Sequence, residues 1–257
     1  MLIGSIDIIK TSWSFYVKNW KKFISYLMLL FVPTIILTSL GILSAYYASY
    51  TEGLYLISAL VVLVVFIVSA LFSLWVSIAL MQTIKHAYKN EPLEDWKKTI
   101  SDNSYLIWPV FLTSLLTTIL VVIGSILFLI PGLIFFIWYM FTFYEVIFNN
   151  KRGLEALKAS KSLVVGRWWA ILWRILIPSL AFGVLMAIIV GAVLFPIKFL
   201  IPETSTIFEI ISNIISTIIN LALTPLVSTA MLVLYFSAVE NPVAQFTPPT
   251  NEPPKEL

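Results

Sequence analysis

Residues 131–169 read PGLIFFIWYMFTFYEVIFNNKRGLEALKASKSLVVGRWW, and this stretch decides the fold. Pro131-Gly132 interrupts an apolar run that extends from Tyr105 to Phe148. A helix crossing the hydrocarbon core of about 30 Å needs about 20 residues, so the run holds two spans. Proline cannot continue a helix and glycine tolerates a turn. The sequence therefore predicts a tight helical hairpin, with spans at 105–130 and 133–149.

Glu145 sits about one turn before Asn149-Asn150. A carboxylate inside an apolar span is expensive unless protonated, paired or near water. Arg174 lies at a matching depth in the next span. Three readings stay open: a structural Glu145–Arg174 ion pair, a ligand or proton site, or a Glu145 that snorkels to the interface.

Residues 152–166 follow as an amphipathic helix. At 100° per residue, Gly153, Ala156, Leu157, Ser160, Leu163 and Val164 share one arc. Lys151, Glu155 and Lys158 take the other, and Leu154 breaks the pattern. The small residues on the apolar arc suit close helix contact. Ser160 is expected to pack rather than to act as a nucleophile, since no base is placed near it.

Pro131, Gly132, Glu145, Ala156, Ser160, Gly166 and Trp168 form a pattern: a proline-glycine turn, a span ending in Glu, then a basic helix with A-x-x-x-S and G-x-W. It resembles the membrane domain found beside some glycerophosphodiester phosphodiesterases, and YciC-like inner-membrane proteins. The resemblance covers residues 1–240. It implies a membrane fold and location and very little chemistry, because catalysis in that family belongs to a soluble domain that has no counterpart here.

Composition agrees with a membrane protein. The 257 residues are 60% hydrophobic and 11% charged, with a mean hydropathy of +0.98, which excludes an ordinary soluble domain. The absence of cysteine excludes disulfides, thiol catalysis and thiolate metal sites. The one histidine, His86, lies near Glu91, Glu94 and Asp95, a grouping that reads as a solvated loop; no metal, cofactor or nucleic-acid partner is expected. The N-terminus does not read as a signal peptide.

Outward from the hairpin, residues 5–22 read as an interfacial helix, with Ile6, Ile9, Trp13, Tyr16, Val17 and Trp20 on its apolar face. Span 1 covers 23–49, with an expected kink at Pro33 and a small-residue stripe of Gly41, Ala45 and Ser49. Span 2 covers 55–82, with Ser69, Ser73 and Ser77 on one stripe. A second short amphipathic helix is expected at 92–103, with Pro92 at its first position. Span 3 carries Ser114, Thr118 and Ser125. Span 5 covers 168–195 and ends at Pro196. The following loop carries Lys198 and Glu203.

Span 6, at 207–238, has the strongest polar stripe: Asn213, Thr217, Asn220, Thr224 and Ser228. Polar groups facing lipid would lack partners, so this face is expected to point into the bundle. Either interhelical hydrogen bonds or a hydrated, ligand-lined cavity would satisfy it. Residues 241–257 are proline-rich and polar and predict a disordered tail.

The basic residues assign an orientation. The N-terminal segment carries four lysines, the 83–103 connection four, and 151–174 six Lys/Arg, with Lys255 in the tail; the opposite loops hold Lys198 alone. The positive-inside rule then places both termini in the cytoplasm. The fold class is an all-α, six-span membrane bundle with three cytoplasmic interfacial helices. A threefold helix-plus-hairpin repeat is a further expectation, since Ser12, Ser14 and Trp20 match Ser160, Ser162 and Trp168 in spacing.

Two functions fit. One is a non-enzymatic module in the cell membrane that binds anionic lipid headgroups or a membrane-protein partner. The other is a carrier or channel for a small solute or lipid, lined by the stripes of spans 3 and 6 with Glu145 and Arg174. An enzyme is not expected: no G-x-S-x-G, H-E-x-x-H or P-loop is present.

Overall fold

The computed structural model describes residues 1–48, 52–202 and 204–242, and the side chains of these except 42–57. Among the described residues every regular element is helical: α1 Ser5–Ala48, α2 Glu52–Tyr88, α3 Trp96–Asp102, α4 Ile107–Leu127, α5 Leu129–Tyr139, α6 Thr142–Asn149, α7 Gly153–Val164, α8 Trp168–Ile197 and α9 Thr206–Glu240, with a 3-10 turn at Ser104–Leu106. Six segments are long and apolar enough to cross a membrane, with α5 and α6 together forming the fourth. Ser49, Glu203 and the tail 243–257 lie outside the described residues, as does the side chain of Ala45.

Three boundaries differ from the sequence reading. Residues 5–22 and span 1 are one continuous 44-residue helix, which runs through Pro33 without a break. The predicted apolar face of 5–22 points outward: Ile6, Trp13, Val17 and Trp20 are exposed, while Ile8, Ser12 and Asn19 are buried against the bundle. Pro92 precedes the next helix instead of opening it; α3 starts at Trp96 after Asp95. Pro196 lies within α8, which ends at Ile197.

The hairpin break also moves. It falls at Phe128, whose backbone is extended (φ −161°, ψ 151°), and not at Pro131-Gly132. Proline acts four residues upstream, because its ring would meet the carbonyl of residue i−4 and supplies it no N–H. That carbonyl belongs to Leu127, the last residue of α4. Pro131 itself falls in the first turn of α5, where no N–H is required. Gly132 serves close approach: a Cβ there would lie 2.7 Å from Ser125 Cα, and one on Gly124 would lie 2.7 Å from the Phe135 ring.

The fourth span, predicted as a single helix 133–149, is broken at Met140-Phe141. The Ser160 hydroxyl, fully buried on α7, accepts from Phe141 N–H at 3.1 Å and donates to Trp138 C=O at 2.8 Å. Backbone groups freed inside a membrane need a protein partner, and α7 supplies one. Four of the six residues predicted on the packed arc of α7 are buried: Ala156, Leu157, Ser160 and Val164.

The core occupies the half of the bundle nearest the lysines and arginines, called the basic end below. In α2, Val76, Ile78, Ala79, Leu80 and Ile84 are buried. Toward the far end of the same helix, Leu60, Leu63, Val64, Phe66 and Val68 are exposed. The last turns of α9 repeat the pattern, with Leu232, Val233, Leu234, Tyr235 and Ala238 buried beside Phe23, Tyr26 and Phe141. The tips of the α4–α5 hairpin, Ile126 to Ile130, stand uncovered.

Candidate functional site

Glu145, the carboxylate singled out in the sequence, is 3% exposed. It does not meet Arg174. Its Oε2 pairs with Lys151 Nζ at 2.9 Å and accepts from Asn149 Nδ2 at 2.9 Å. Its Oε1 accepts from the Tyr235 hydroxyl at 3.2 Å. Asn149 also donates to the Tyr235 oxygen at 3.0 Å. The reason is chain geometry: Asn150, at φ 55°, caps α6 in the left-handed conformation and turns Lys151 back over the carboxylate. Tyr235 is held by a stack on Tyr144, centroids 5.1 Å apart. This carboxylate is paired with Lys151 and hydrogen-bonded through both oxygens, which suits a clamp between α6 and α9.

Arg174 instead anchors the N-terminal residues. Its Nε donates to Ile3 C=O at 2.6 Å, Nη2 to Leu2 C=O at 3.3 Å and Nη1 to Ala170 C=O at 2.8 Å. Nearby, Arg167 closes the end of α9: Nη2 donates to Ala238 C=O at 2.7 Å and Nη1 to Asn241 C=O. Cations suit the carbonyl end of a helix. Burial, and then the charge of Arg174, hold the Arg167 guanidinium below its ordinary pKa.

The polar stripe of α9 does not line one interior path. Asn213 and Thr217 open on a groove of about 400 Å³ walled by Phe31, Thr34 and Thr38 of α1. Asn220, Thr224 and Ser228 open on a separate groove of about 350 Å³ walled by Ser179, Phe182 and Met186 of α8. Asn213 and Asn220 are exposed rather than turned into the bundle. Asn220 Nδ2 donates to its own helix at Ser216 C=O, 2.9 Å, and Thr224 to Asn220 C=O at 3.1 Å. Self-satisfaction along one helix is what allows a hydroxyl or amide to sit at a bundle surface.

His86 and Glu91 approach to 3.7 Å, whereas Glu94 pairs with Lys98 at 2.6 Å; among the described residues no group of three acidic, His or Cys side chains could hold a metal. Of the motif residues, Pro131 and Gly132 serve the turn from α4 to α5, Ser160 bridges Trp138 and Phe141, Ala156 is buried on α7, Gly166 turns the chain at φ 86°, and Trp168 opens α8.

The partners of Glu145 went unread in the sequence. Lys151 had a signal, being the first cation after the span. Tyr235 had none: nothing local links it to a residue 90 positions away. No protein-family model, curated protein or solved structure matches this chain.

Proposed function

We propose that this chain is a non-enzymatic integral membrane module of the cell membrane that binds lipids, with its basic end and both termini in the cytoplasm. The observation that carries the reading is the division of the bundle. The buried core lies in the basic half, while the polar stripe of α9 opens sideways onto two grooves at the bundle surface. A groove with apolar walls and a few hydroxyl and amide groups suits an amphiphile that enters from the bilayer.

The exposed tryptophans support the placement. Trp13, Trp20, Trp108, Trp169 and Trp173 are uncovered at the basic end, as side chains of an interfacial belt would be. The interfacial roles of 5–22, 92–103 and 152–166 and the threefold repeat belong to this proposal; superposing 5–82 on 152–238 tests the repeat. So does the resemblance to the phosphodiesterase membrane domain, which stands on the motif residues alone. A protein partner at the same surfaces is the competing occupant. A carrier is a weaker reading, because the two parts of the α9 stripe face α1 and α8 separately and Glu145 is engaged by Lys151.

The test is thermal unfolding of detergent-purified protein titrated with phosphatidylglycerol or phosphatidylcholine. Ligand that binds only the folded state raises the unfolding temperature in proportion to ln(1 + [L]/Kd). The expected result is an upward shift that keeps growing with the logarithm of lipid concentration above Kd and is larger for the anionic lipid. No shift with either lipid overturns the proposal.

A further inference from the structure

Two arginines share one cleft at the basic end, and among the described residues neither meets a carboxylate. Arg167 and Arg174 line a cavity of about 420 Å³ together with Leu2, Gly166, Ala170 and Asn241. Among the described residues, no ion pair involves either guanidinium. Their recorded acceptors are neutral carbonyls, three for each. A guanidinium has five N–H donors, so each keeps two for another acceptor. Two like charges that face one cleft repel; burial, and then that repulsion, lower the pKa of Arg167.

We propose that this cleft binds the phosphodiester headgroup of an anionic phospholipid, with Arg167 and Arg174 donating to the phosphate oxygens. The assignment rests on the lipid-binding reading and names the site and headgroup chemistry. Guanidinium donors match phosphate geometry, and the anion offsets the repulsion of the pair. The choice of a lipid over a free anion comes from the face of α8 next to the one that carries Ala170 and Arg174. Trp169, Trp173, Leu176 and Leu180 follow at helical spacing along α8 and are all exposed. They form an apolar ledge that starts at the level of the arginines and descends into the membrane, where acyl chains would lie.

The experiment is native mass spectrometry of the full chain exchanged into micelles carrying phosphatidylglycerol or phosphatidylcholine. Wild type should retain one phosphatidylglycerol and release phosphatidylcholine. R167Q/R174Q should weaken retention by about thirtyfold, the effect of two basic charges at an anionic surface. Since these arginines also hold backbone carbonyls, A170F provides an independent variant: it fills the cleft, keeps both charges, and should lose the lipid while the protein stays folded. K18Q/K22Q, which removes lysines elsewhere at the same end, should retain it. Retention by A170F equal to wild type overturns the site and leaves the general lipid reading intact. No retention by wild type overturns both. Displacement of the lipid by millimolar inorganic phosphate, with equal phosphate retention by wild type, would make this a free-anion site and overturn the lipid assignment.

Discussion

Ser160 closes the break at Phe141. The hydroxyl on α7 takes the Phe141 N–H at 3.1 Å and returns its own proton to Trp138 C=O at 2.8 Å. A short polar side chain thus replaces the helical bonds that the fourth span gives up between α5 and α6. Ser160→Ala would leave two buried backbone groups without partners, at about 1–3 kcal/mol each where water cannot compensate. The expected outcome is a lowered unfolding temperature in detergent, with Ser160→Thr milder than Ser160→Ala. An unchanged unfolding temperature for Ser160→Ala would contradict this role.

Lys151→Met should destabilise by leaving Glu145 buried with its charge unbalanced. Breaking a fully buried pair costs about 3–5 kcal/mol. Lys151 is 33% exposed and Glu145 3%, so water moderates the loss, and about 1–3 kcal/mol is expected. Glu145→Gln in the same background should recover part of it, since the amide oxygen can still accept from Tyr235. Urea unfolding of the two single variants and the double variant measures the coupling; additive effects would show that the pair contributes nothing.

Gly132→Ala should force α4 and α5 apart. The added methyl would stand 2.7 Å from Ser125 Cα, and backbone cannot step aside cheaply. Overpacking of this kind costs about 1–3 kcal/mol. A cysteine pair placed across the hairpin would report the separation by its crosslinking rate, expected to fall in the Gly132→Ala background; an unchanged rate would show that the hairpin absorbs the methyl.

Asn220→Leu should be tolerated. The Asn220 amide bonds to its own helix at Ser216 and its side chain is exposed, so the change should stay within about 0.5 kcal/mol of wild type. Urea unfolding of the variant in detergent is the check, and solute uptake into proteoliposomes tests the competing carrier reading. A flux present in wild type and abolished by Asn220→Leu would favour a carrier.

Much of this architecture is legible in the sequence because membrane spans announce themselves by length and apolarity alone. The hairpin at 105–149, the packed arc of α7 and the polar stripe of α9 all follow from local spacing. What escaped is non-local or indirect. Pro131 signals a break, but the proline rule places the break at the carbonyl it would disturb, four residues earlier. Glu145 and Arg174 share a depth, and depth does not fix the side of a helix; Lys151 and Tyr235 reach the carboxylate first. The stripe on α9 implies burial only if its groups need partners from other helices, and Asn220 and Thr224 find theirs on their own. The continuity of α1 escaped because a basic, aromatic segment suits a helix that lies along the interface and equally one that passes through it.

The central claim is that this bundle holds lipid, and native mass spectrometry of the protein released gently from its own membranes tests it most directly. The account predicts a discrete adduct of phospholipid mass, anionic by headgroup, that survives activation energies removing bulk detergent. A protein that emerges bare, or carries a second polypeptide in place of lipid, would contradict it.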